Sequence, residues 1–152
     1  MHSEFEMKSS PPLLGTTYQG VLGAVIASVR SNDQAHPITQ ADVAGQLGVN
    51  VSTWSRIERG ESAISLEQLV VVASFLKIPL SELFKVVEER VAELNQQGIR
   101  VAVSKDALQD NAILPMTTNQ LLAMCTVPAG LGTIGLAALT LYKKLQRTRA
   151  GK

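Results

Sequence analysis

Apolar side chains recur at helical spacing from Tyr18 onward. Tyr18, Leu22, Val25, Ile26 and Val29 fall at i, i+4, i+7, i+8 and i+11, the spacing of one helix face. The polar stretch Ser31 to Pro37 ends that pattern. Thr39 is a good helix-capping residue, and Gln40 to Leu47 reads as a short helix with Val43, Ala44 and Leu47 inward. Gly48 follows at a position suited to left-handed backbone, and Asn50 opens a third helix that runs to Arg59 and stops at Gly60. Ser65 starts a fourth helix carrying Leu66, Leu69, Val70, Val72, Ala73 and Leu76. After the tight connection Ile78-Pro79-Leu80, Ser81 is the expected cap of a long fifth helix that reaches about Gln97. Along it Leu80, Phe84, Val87, Val91 and Leu94 step by 4, 3, 4 and 3, a heptad-like seam. That seam fits a second subunit and fits packing on the chain's own domain equally well.

Beyond Gly98 the texture changes. Ile99 to Val103 alternates as a short strand does, and Ser104 is placed to cap a single helical turn to Leu108. Asn111 to Tyr142 contains no charged residue. At the other end, residues 1–16 are polar and carry Pro11-Pro12 and Gly15, which reads as a flexible arm. The expected fold is all-α. The expected division is an arm at 1–16, a five-helix domain whose body is 17–80, a long fifth helix and linker at 81–98, and an apolar, mainly helical segment with a basic tail at 99–152.

Composition narrows the chemistry. With 152 residues, 45% hydrophobic and 18% charged, the chain is able to bury a core. A single Cys excludes an intrachain disulfide framework and a cysteine-rich zinc site, and two His leave little for a histidine metal cluster. No cofactor or metal is expected. No nucleophile spacing or glycine-rich phosphate loop is present, so no enzyme is expected. Met1 to Ser10 holds Glu4 and Glu6 and no apolar run, which does not match a secretory signal, and a cytoplasmic setting is the expectation. The net charge of +1 hides an uneven distribution: residues 61–98 carry −3 and residues 99–152 carry +5, much of it in Lys143, Lys144, Arg147, Arg149 and Lys152.

The chemistry-bearing motif is a pair of short helices joined by a tight turn. Ala44 is small enough for the second helix to cross close, Gly48 permits the turn, and Val49 fills the gap between helices. Trp54 and Ile57 face the core, which turns Val51, Ser52, Ser55 and Arg56 outward. A helix exposed in this way fits the roughly 12 Å major groove of duplex DNA.

These residues resemble a known family. Thr39-Gln-Ala-Asp-Val-Ala, Leu47-Gly-Val, Ser55-Arg-Ile-Glu-Arg-Gly60, Ser65-Leu-Glu-Gln-Leu and Phe75-Leu-Lys-Ile-Pro-Leu-Ser-Glu-Leu-Phe84 are similar to the helix-turn-helix domain of lambda-repressor/Cro-type regulators, also called the xenobiotic-response-element family. The resemblance covers about residues 17–85. It implies a five-helix domain that binds double-stranded DNA in a sequence-specific manner, usually as a homodimer on a near-palindromic operator. It also implies roles. Val51, Ser52, Ser55 and Arg56 become base-reading residues, with Arg56 able to pair bidentately with a guanine at about 1–3 kcal/mol of discrimination. Gln40, Thr53 and Arg59 become phosphate contacts. Arg30 and Glu58 match a structural ion pair between the first and third helices. The loop Ser31 to Ile38 is longer than the family's usual connection, and Val51 stands where polar readers are common.

For the C-terminal segment the sequence leaves three readings. Leu121 to Tyr142 is long enough to span a bilayer, but Pro128 to Gly130 interrupts it and the basic cluster lies on the wrong side for a simple span. A helical hairpin, Thr118 to Thr126 and Leu131 to Arg147, accounts for the pattern. It serves a dimer interface, a membrane-surface contact, or an apolar pocket for a small-molecule effector within residues 111–152. Val87, Val91, Leu94, Leu136 and Leu139 are the candidates for dimerisation. The alternative to a regulator is a protein-interaction module, antitoxin-like or membrane-tethered, whose helix-turn-helix is incidental.

Overall fold

The first helix is buried on nearly every side. In the computed structural model, which describes residues 13–31, 37–111 and 113–125, helix α1 spans Tyr18–Ser31, and its residues 20, 21 and 23–29 are all buried. Val21, Ala24, Val25 and Ile26 are exposed by 2% or less, whereas Tyr18 is 36% exposed and Leu22 half-buried. Val25, Ile26 and Val29 of the expected face are thus buried, while Tyr18 and Leu22 are covered less than expected and Val21 and Ala24 more. The reason is packing: α1 is the hub against which several later elements lie, so its burial is not confined to one stripe.

Around it come α2 (Gln40–Leu47), α3 (Val51–Glu58), α4 (Leu66–Leu76) and α5 (Leu80–Gln96). The caps follow from the residue types. Thr39, Asn50 and Ser65 each accept a hydrogen bond from the backbone N–H three residues on, and Thr39 and Ser65 complete reciprocal boxes with Asp42 and Gln68. Gly48 ends α2 at φ +65°, in the left-handed region, with Val49 N–H donating to the Ala44 carbonyl at 3.0 Å. The fifth helix departs from expectation at its start: Pro79 occupies the cap position with no side-chain hydrogen bond, and Ser81 lies inside the helix. Proline suits a helix start because its missing N–H has no intrahelical partner there to lose. Lys77 ends α4 in the left-handed region at φ 62°.

The largest correction concerns α5. Val87, Val91 and Leu94, expected on a dimer seam, are exposed by 2%, 7% and 0% and belong to the chain's own core together with Leu83 and Val86. Phe84 of the same seam is 44% exposed. Heptad-like spacing marks a helix with one buried side, and here that side is turned to α1. Leu136 and Leu139 lie outside the described residues.

The second departure is a small parallel sheet in an otherwise mostly helical chain. Strands β1 (Leu14–Thr17), β2 (Arg100–Ala102) and β3 (Leu114–Pro115) lie in the order β2-β1-β3. Gly15 pairs with Arg100 and Thr16 with Val101 on one side, and Leu14 pairs with Leu114 on the other. Residues 14–16, expected in a flexible arm, thus form the central strand. Parallel strands require long crossovers. All five helices lie between β1 and β2, and the short helix α6 (Lys105–Gln109), capped by Ser104, lies between β2 and β3. Helix α7 (Thr118–Cys125) then returns across α1. Ala102, Leu108 and Ile113 form a second, small apolar cluster. Among the described residues no helix is long and apolar enough to cross a membrane.

Candidate nucleic-acid interface

Helix α3 is fixed to the domain by three buried residues and offers the opposite side to solvent. Trp54, Ile57 and Glu58 are exposed by 0%, 4% and 5%. Ala44 and Val49 pack at the turn as the sequence reading requires. The close approach of α3 to α1 depends on Gly23: a Cβ there would fall 2.8 Å from the Ile57 carbonyl oxygen and closer still to that of Glu58. Gly60, at φ +68°, sits equally tight against Gly20.

A buried carboxylate ties the corner together. Arg30 Nε donates to Glu58 Oε1 at 2.7 Å and Nη2 to Oε2 at 3.0 Å. The third guanidinium nitrogen, Nη1, donates to the Ile38 carbonyl at 3.0 Å. Trp54 Nε1 donates to Oε1 at 2.8 Å, and Gln40 Nε2 to Oε2 at 2.6 Å. Glu58 therefore accepts four hydrogen bonds, from α1, α2 and its own helix, and its charge is fully compensated where it is least hydrated. The family-implied Arg30–Glu58 pair is present. The partners Trp54 and Gln40 were not expected. Trp54 and Glu58 stand four apart on one helix, a spacing from which the contact is readable. Gln40 gave no such signal, and its amide points into this network rather than outward as a free phosphate contact.

The outer face carries the remaining candidates. Val51 is 46% exposed, Ser52 is exposed, and the Arg56 side chain is 59% exposed, with an ion-pair contact to Glu61 at 3.8 Å. Ser52 and Thr53 hydroxyls both donate to Asn50 Oδ1, at 2.7 and 2.8 Å, alongside the capping Thr53 N–H. Ser55 accepts from Arg59 Nη1 at 2.6 Å, and Arg59 also makes a two-bond pair with Glu61 at 2.8 and 3.1 Å. The hydroxyl and guanidinium groups are thus pre-oriented by one another, and Val51 and Arg56 are the least committed. Glu61, absent from the sequence reading, neutralises part of this basic edge. The Arg59 hydrogen bond, aided by the charges of Arg59, Arg56 and Lys105, holds its carboxyl below the usual range, and the same bond raises Arg59. At the start of α2, the Thr39 side-chain and backbone hydrogen bonds lower Asp42 likewise.

The geometry is a capped helix, a glycine turn and a second helix with one anchored and one open face. The helix-turn-helix family model matches residues 35–83. Residues 35–83 are a helix-turn-helix domain. No curated protein and no solved structure matches the chain. The match agrees with the lambda-repressor/Cro-type resemblance, and the helix-turn-helix supports DNA binding by a regulator of that type. It begins inside the α1–α2 connection and ends in α5, so β1, all of α1 and everything from Phe84 onward lie outside it.

Proposed function

We propose that this chain is a transcription regulator that binds a near-palindromic operator as a homodimer, with α3 in the major groove. The observation that carries the reading is the division of α3: Trp54, Ile57 and Glu58 are buried while Val51, Ser52 and Arg56 are exposed on the other side. Arg56 supplies a bidentate donor for a guanine edge, and Val51 supplies methyl groups for a thymine. Arg59 and the backbone N–H groups at the start of α2 address phosphates on either side of the groove. Ser55 and Thr53 act with them through the hydroxyls oriented by Arg59 and Asn50. Such a regulator works where the DNA is, in the cytoplasm.

Dimerisation is assigned to surface other than the inner face of α5. Leu66, Val70 and Phe84 are exposed by 68%, 47% and 44% and give a second copy apolar area to cover. A symmetric pair would set two α3 helices about 34 Å apart, one turn of duplex.

The test is selection from a random duplex pool with wild type and Arg56→Ala in parallel. The expected result is a two-fold symmetric motif for wild type and loss of preference at one base pair per half-site in the variant. Enrichment of no sequence by either protein overturns the reading.

A further inference from the structure

The sheet and the returning helix α7 enclose a cavity beside the end of α3. It measures about 160 Å³ and is bounded by β1, the first turn of α1, the Arg59-Gly60 corner, α6 and α7. Its body is apolar, from Leu108, Ile113, Met116 and Leu121. A space of about that size takes a benzene-sized group.

Its polar features are of one sign. Arg59 and Lys105 line it, and no acidic residue does. Thr16 and Thr17 are each 7% exposed. The Thr17 hydroxyl accepts from the Gly20 N–H at 3.1 Å. The Thr16 hydroxyl lies beside Gly20, where an added Cβ would come within 2.7 Å of it. Two cations and a hydroxyl-bearing residue on the wall of a largely apolar space suit a ligand with an anionic head and an apolar body.

We propose that this cavity binds a small organic carboxylate with an apolar body, the carboxylate meeting Arg59, Lys105 and the Thr16 hydroxyl. The site also regulates. Arg59 lines this cavity and, on its other side, the groove shared by Gln40, Ser55 and Glu58. A carboxylate that recruits Arg59 competes with Ser55 and Glu61 for its donors, so occupancy re-aims a residue at the DNA-facing edge. This second step rests on the DNA-binding reading given above; the site itself does not.

The experiment uses the full chain and three probes, benzoate, phenylacetate and hexanoate, each with its primary amide as the neutral control. Backbone amide shifts are followed by NMR in wild type and in Lys105→Ala, a substitution at an exposed position. Saturable shifts centred on Thr16, Gly20, Gly60 and Leu121 are expected with at least one carboxylate. The matching amide should bind about tenfold more weakly, and the Lys105→Ala variant should lose most of that preference. Absence of shifts at these residues with all three carboxylates overturns the site, and equal binding of acid and amide overturns its anionic class. Affinity for the selected duplex, measured with and without a saturating carboxylate, is expected to change by at least about fivefold. No change, with the shift map intact, overturns the coupling alone. Failure to select any duplex, with the shift map intact, removes the DNA reading and the coupling together and leaves the site standing.

Discussion

Arg30 and Glu58 join α1 to α3 by two parallel hydrogen bonds of 2.7 and 3.0 Å, with side chains exposed by only 15% and 5%. Removing one partner from such a pair leaves the other charge buried and unmatched. Arg30→Ala and Glu58→Ala are each expected to lower unfolding free energy by about 3–5 kcal/mol. Urea denaturation measures this, and the double variant should lose much less than the sum of the two. Near-additive losses would mean that the pair is not coupled.

Arg56 lies at the other extreme. Its side chain is 59% exposed and makes a long, solvated ion pair with Glu61 at 3.8 Å, so Arg56→Ala should change stability by no more than about 0.5 kcal/mol. The same substitution should reduce discrimination at one base pair per half-site by about 1–3 kcal/mol. Comparing thermal melts with binding to single-base operator variants separates the two effects.

Gly23 is required by proximity rather than by backbone angle. Gly23→Ala places a methyl group against the Ile57 and Glu58 carbonyls. A destabilisation of about 1–3 kcal/mol is expected as α3 is pushed from α1. Gly45→Ala, whose new methyl group meets nothing within 4 Å, is the matched control and should stabilise α2 slightly, by about 0.5–1 kcal/mol. Equal effects in the two variants would contradict the close crossing.

Lys77 holds a left-handed conformation at φ 62° that a side chain disfavours by about 1–2 kcal/mol. Lys77→Gly relieves this strain but enlarges the freedom of the unfolded chain, which offsets about 0.5–1 kcal/mol. A net gain of about 0.5 kcal/mol is expected in chemical denaturation. Gly48→Ala, at φ +65°, should show the opposite sign.

Acid should loosen the start of α2. The Asp42 carboxyl sits below its usual value because Thr39 donates to it from both hydroxyl and backbone. A lowered folded-state pKa means that the contribution is complete above the unfolded-state value and is lost as pH falls through the folded-state value. Asp42→Asn should therefore flatten the acid limb of a stability–pH curve. An unchanged limb would remove the capping box from the acid response.

The parts of the fold that depend on near neighbours in sequence were readable from it. Thr39, Asn50, Ser65 and Ser104 are all caps in the structure, because a cap needs only its own side chain and an N–H three residues on. The outward set Val51, Ser52 and Arg56 followed from the inward pair Trp54 and Ile57. What failed were relationships between distant segments. The spacing of Val87, Val91 and Leu94 reports that a helix has a buried side, not which partner covers it. Gln40 meets Glu58 from a different helix, so no local pattern announces the bond. Leu14 to Thr17 is too short to show alternation, and its strand partners lie at the far end of the domain.

That last feature has a kinetic meaning. Gly15 and Arg100 are neighbours in the sheet, yet every helix from α1 to α5 lies between them along the chain. Closing so long a loop before those helices are docked would lose much chain entropy for a few strand contacts. The five-helix bundle should therefore form first and the sheet should latch afterwards, so that β1 and the β2–β3 segment open together, as a single low-stability unit, while the helix-turn-helix beneath stays folded.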